Sequence, residues 1–189
     1  MMNIAGYEMD LLVVGFPGKS VRHGGLGWSN IALLRGHDRV VLIDMGPMSM
    51  RKLATSSRLL RLRNGDLSLP HLVVYEVSGH TPDHLLFVLE GIAQDVLFLG
   101  DAAKTRAELV SRTAQTTLDA RQSAASIYLI WDHWQRKPQS LVIPGHDVPL
   151  AQTNGVVRYL QAHKTAVQVC FGDALNTSRD VVLTQGLLP

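Results

Sequence analysis

Three short stretches each place a good metal ligand just after a strand-like apolar run. Leu72-Val73-Val74-Tyr75-Glu76-Val77 leads into Ser78-Gly79-His80-Thr81-Pro82-Asp83-His84. Val96-Leu97-Phe98-Leu99 leads into Gly100-Asp101, and Leu141-Val142-Ile143 into Pro144-Gly145-His146. Short runs rich in β-branched residues and bounded by turn formers read as strands. Gly79 allows a sharp turn, and Thr81-Pro82 bars simple continuation of the strand. A fourth run, Val40 to Ile43, is related but puts Asp44 before Gly46. If the strands share one sheet edge, His80, Asp101 and His146 meet. Two imidazoles and a carboxylate suit zinc or iron.

The elements that must position these residues follow from the same pattern. Residues 1–9 read as a short leader, and Asp10 to Gly15 as the first strand. Trp28 to Leu34 and Arg39 to Ile43 flank a turn at Arg35-Gly36-His37-Asp38, which predicts a β-hairpin with His37 solvated. Pro47 marks the start of a helix over 48–61. Asn64-Gly65 predicts a turn, and Leu85–Glu90 with Asp95–Leu99 a second hairpin turning at Gly91. Residues 102–118 read as loop or short helix. Asp119 and Gln122 resemble a capping box for a helix that buries Ile127, Ile130, Trp131 and Trp134 and ends before Pro138. Ser140 to Ile143 is the last strong strand. Asn154-Gly155 then precedes a predicted final helix carrying Val157, Leu160, Lys164, Val167 and Cys170 along one side.

Composition sets the outer limits. The 189 residues, 46% hydrophobic and 18% charged, fit one globular domain with a sizeable core. The net charge of +2 is small and the basic residues are scattered, apart from Arg58, Arg61 and Arg63, so no nucleic-acid partner is expected. Gly18-Lys19-Ser20 is not a phosphate loop, because Val13 stands where the earlier glycine belongs and no helix start follows. The single cysteine, Cys170, forms no intramolecular disulfide and reads as a small buried hydrophobe. No signal segment or bilayer-long apolar stretch is legible, so no membrane partner and a cytoplasmic location are expected.

The order of four motifs, Leu-Ile-Asp-Met-Gly (42–46), Ser-Gly-His-Thr-Pro-Asp-His (78–84), Phe-Leu-Gly-Asp-Ala (98–102) and Ile-Pro-Gly-His-Asp (143–147), resembles the metallo-β-lactamase-fold hydrolases. Within them it looks most like the lactonase-like branch that includes acyl-homoserine lactonases. The resemblance runs from about Leu11 to Phe171. It implies a mixed α/β, four-layer αββα sandwich over a single domain, 1–189. It also implies metal-dependent hydrolysis of an ester, lactone or thioester by metal-bound hydroxide, with a small-molecule ester or lactone as the partner. By resemblance, His80 binds one metal, Asp101 bridges the two and takes part in catalysis, and His146 binds the other. His84 and Asp44 are expected to be structural supports.

One departure matters more than the matches. The family carries His-x-His-x-Asp-His between the Leu-Ile-Asp-x-Gly and Gly-His-Thr-Pro-Gly-His motifs. Here the only histidine between Gly46 and Gly79 is His71, and the middle of the chain is short at about residues 60–66. Three of the family's seven ligands remain. Two readings therefore stay open. One is a hydrolase impaired by the missing ligands, holding at most one zinc, iron or manganese ion, or none. The other is an inactive shortened protein acting as a binding or interaction module, with homo-oligomerisation an option. Asp83 replaces the usual glycine and reads as a tolerated loop change. His23 either faces the site or lies on the surface, and His133 and His163 read as surface residues.

Overall fold

The computed structural model describes residues 2–14, 19–20, 24–25, 29–43, 67–161, 164–171 and 177–184. The predicted helix over 48–61, the Asn64-Gly65 turn, His23, Asp44 and His163 lie outside them.

The chain opens with a hairpin. β1 (Met2–Ile4) pairs antiparallel with β2 (Tyr7–Val13) around Ala5 and Gly6, both at positive φ. The leader expected over 1–9 is therefore wrong. Ile4, Tyr7 and Met9 are buried, and that burial fixes the segment to the core. Lys19–Ser20 (β3) and Gly24–Gly25 (β4) form a minimal ladder. β5 (Ile31–Gly36) and β6 (Arg39–Ile43) form the predicted hairpin. His37 and Asp38 both take left-handed backbone angles, φ 51° and 57°, as a two-residue turn between right-twisted strands requires. His37 is exposed, as expected, but it also packs against the Tyr7 ring at 4.7 Å between centroids.

The second sheet begins with β7 (Leu67–Leu69) and β8 (Leu72–Glu76), then β9 (Leu85–Leu89) and β10 (Val96–Gly100). β9 and β10 are the second predicted hairpin. A crossover with two helices follows. α1 (Arg106–Ser111) is capped by Thr105, and α2 (Ala120–Arg136) by Asp119, whose carboxylate accepts from Gln122 N at 2.9 Å. β11 (Leu141–Pro144) then lies parallel to β10.

The chain beyond β11 differs from the sequence reading. In place of a final helix there are β12 (Leu150–Thr153), β13 (Val156–Tyr159), β14 (Lys164–Phe171) and β15 (Thr177–Thr184). Asn154 and Gly155 sit at φ 53° and 75°, so this Asn-Gly pair is a tight hairpin turn and not a helix entrance. β-Branched residues in these segments then favour strands over the helix that spacing suggested. Cys170 falls on β14.

The four-stranded sheet runs β1-β2-β5-β6 and the seven-stranded sheet β13-β12-β11-β10-β9-β8-β7. Ile4, Tyr7, Leu34 and Ile43 of the first meet Leu72, Leu89, Phe98 and Ile143 of the second in one core. The other face of the larger sheet packs under the helices through Leu86, Leu97, Leu99, Ile127, Ile130 and Trp134. Alternate residues of the central strands thus serve two cores, which is why they read as continuous apolar runs. The result is a mixed α/β sandwich of two sheets with few helices, in agreement with the layered architecture expected.

Candidate metal centre

β8, β10 and β11 lie in one sheet, and the loops that leave their C-terminal ends gather at one edge. His80 Nε2 lies 3.1 Å from Asp101 Oδ2, and His146 Nε2 lies 3.1 Å from Asp101 Oδ1. Each oxygen of one carboxylate thus faces one imidazole. All three side chains are about a quarter exposed.

Each loop is held by main-chain bonds. Gly79 sits at φ 134°, and a Cβ there would run into Ser123 of α2. Gly79 O accepts from Leu118 N and Asp119 N at 3.1 and 3.0 Å, and Ser78 O accepts from Ser126 Oγ at 2.6 Å. The first turns of α2 therefore fix the His80 loop. At the Asp101 turn Gly100 has φ 50°, and a Cβ would stand 2.7 Å from His84 Nε2. That His84 nitrogen accepts from Asp101 N at 2.9 Å. His84 is therefore a structural support, as expected. The His146 loop hangs on Asn30: Asn30 N donates to Gly145 O, and its Nδ2 to Pro144 O at 2.5 Å and Asp147 O at 2.6 Å. Asp147, 1% exposed, accepts from Val148 N and Arg106 N.

Electrostatics favour an ionised Asp101. Its burial acts to raise the pKa, but the hydrogen bond and charge of His146, with the charges of His80 and Lys104, outweigh it and hold the carboxyl below its ordinary value. His80 Nδ1 lies 3.1 Å from Thr116 O, a pure acceptor, so Nδ1 carries a proton. In the neutral ring Nε2 is then a lone-pair nitrogen pointing at a carboxylate oxygen. Only a proton or a cation can occupy that space favourably. Binding of one ring nitrogen to a main-chain carbonyl is also how a metal-ligating histidine is oriented.

The donor types and the histidine tautomer fit a divalent cation. The donor number is smaller than zinc's customary three or four protein ligands. Among the described residues no group of three His, Cys, Asp or Glu surrounds a single point; each side of Asp101 offers two donors.

Asn30, Thr116 and Asp147 were not picked out from the sequence. Asp147 stands in the quoted Ile-Pro-Gly-His-Asp motif, so its place beside His146 was visible. Nothing local marks Asn30 or Thr116, whose roles arise from contacts across 117 and 36 positions. His133 is a correction: it is half-buried and packs against Tyr75 with ring centroids 4.3 Å apart and the planes tilted by 51°, so it is no ordinary surface residue. Asp83 is exposed.

No family model and no curated protein matches the sequence. Solved structures do. A Staphylococcus aureus protein described as a probable metal-dependent hydrolase superposes with a TM-score of 0.63 at 11% identity, over 82% of this chain and 96% of that one. A Thermotoga maritima protein, provisionally described as a metallo-beta-lactamase, gives 0.56 at 15% identity over 78% and 100%. An N-acyl homoserine lactone hydrolase, solved with N-hexanoyl-L-homoserine at its catalytic metal center, gives 0.53 at 12% identity over 78% and 95%. These likenesses, with the two-sheet mixed α/β architecture described above, show that the chain has the metallo-β-lactamase fold.

Proposed function

We propose that the chain is a metal-dependent hydrolase of small esters or lactones that works with a reduced ligand set: His80, Asp101 and His146. The observation that carries this reading is the pair of 3.1 Å contacts that puts an imidazole nitrogen against each oxygen of Asp101. A bound zinc or iron ion would supply a Lewis acid and would lower the pKa of water. The chain's own residues orient the donors. Thr116 O sets the His80 tautomer, His84 holds the Asp101 turn, and Asn30 holds the loop of His146. Similarity to structures described as a lactone hydrolase and a metal-dependent hydrolase supports the substrate class and the metal dependence.

The test is elemental analysis of the purified chain beside a His80→Ala, His146→Ala double variant, together with an ester and lactone screen. The expected result is a loss of about one zinc or iron ion per chain in the variant, with loss of any hydrolysis. Equal metal in the two proteins would overturn the reading. The second reading, a non-catalytic binding module, is favoured by the absence of a three-donor group among the described residues and gains from that outcome.

A further inference from the structure

The end of the sandwich opposite Asp101 carries a second pair of histidines. His71 precedes β8 and His80 follows it, so about 17 Å of strand separates the two ends at about 3.3 Å per residue. His37, in the β5–β6 turn of the first sheet, and His71, in the β7–β8 turn of the second, have ring centroids 6.0 Å apart. Both are exposed. Both also hold left-handed backbone angles, φ 51° and 64°, where a glycine would be free of strain.

We propose that His37 and His71 form a divalent-metal site of the zinc or nickel kind that clips the first sheet to the second. Three observations support it. His37 Nε2 lies 2.9 Å from Ala5 O, which only accepts, so the proton sits on Nε2 and Nδ1 is left as the ligating lone pair. The Tyr7 ring backs His37 and limits where it can turn. His71 lines an open groove of about 760 Å³, so water and ions reach its ring from that side. Imidazoles sharing a tetrahedral zinc have centroids about 5 Å apart, given bonds of about 2.1 Å. A turn of the exposed His71 ring by about an ångström makes up the difference. No preformed third His, Cys, Asp or Glu donor stands there among the described residues, so water completes the shell.

The test is a calorimetric titration with zinc chloride, and a melting curve with and without it, on the full chain carrying His80→Ala and His146→Ala. That background removes the other site, so the two metal hypotheses fail separately. One saturable zinc per chain and a raised melting temperature are expected, with magnesium inert. Adding His71→Asn or His37→Asn keeps a side chain that tolerates the left-handed angle, and either is expected to weaken zinc binding at least tenfold and abolish the shift. No saturable zinc in the background protein, or zinc binding unchanged by both asparagine variants, would overturn the proposal.

Discussion

Asn30 is the residue on which the His146 loop depends. It is 4% exposed, and its side-chain amide donates to two carbonyls, Pro144 O at the last residue of β11 and Asp147 O in the loop beyond it. Asn30→Ala strands both acceptors away from water, and about 3 kcal/mol of stability should be lost, read as a lower urea midpoint. His84→Ala should act differently. It removes the acceptor of Asp101 N and lets the carboxylate turn move, so metal uptake at the Asp101 site should fall with a smaller loss of stability, about 1 kcal/mol. Comparing metal content with denaturation for the two variants separates the roles. That His80, Asp101 and His146 come together was legible in the sequence, because each is announced by a strand and a turn. Asn30 was invisible because its partners lie over a hundred positions away.

At the scale of elements, the His80 loop is only as well placed as the first turn of α2. Asp119→Ala removes the N-cap, and about 1 kcal/mol should be lost in thermal unfolding. Gly79→Ala combines a disfavoured φ with a collision at Ser123, and about 3 kcal/mol is expected from strain and overpacking together. The two hairpins built on Arg35–Asp38 and Gly91, the central strands and α2 were legible because their periodicity and turn chemistry agree. The segment after Asn154 was misread because Val157, Leu160, Lys164 and Val167 also fall at helical spacing. The Asn-Gly pair before them carried the correct answer, and it outweighs an apolar stripe when β-branched residues follow.

At the scale of the whole molecule, the seven-stranded sheet is covered on both faces, and one of those faces holds a titrating group. His133, on α2, is held below its ordinary pKa of 6.5, first by burial and then by the charge of Arg136. The unfolded chain therefore takes up a proton near pH 6.5 that the folded chain resists. Stability contributed by this group is present above that pH and is lost as the pH falls through the depressed folded value. Denaturation midpoints should fall between pH 7 and pH 5, and the slope should flatten in His133→Gln. The layered fold could be read from the order of four motifs, while the helix predicted at 48–61 falls outside the described residues.

Among the described pairings, β10 with β11 is the parallel one. Within the seven-stranded sheet β7 to β10 form an antiparallel meander, each strand beside its predecessor, and can zip up as the chain leaves the ribosome. β11 cannot join until the whole crossover through α1 and α2 has been synthesised. Until then β10 is an open edge of Val, Leu and Phe with its main-chain groups unpaired, the kind of surface on which nascent chains stick to one another. A ribosome-stalled chain ending before residue 140 should therefore recruit chaperones strongly, and release that hold once Leu141 to Pro144 has emerged and docked. His146 follows immediately behind. The residue that completes the contact with Asp101 thus arrives with the segment that ends the most hazardous interval of the chain's synthesis.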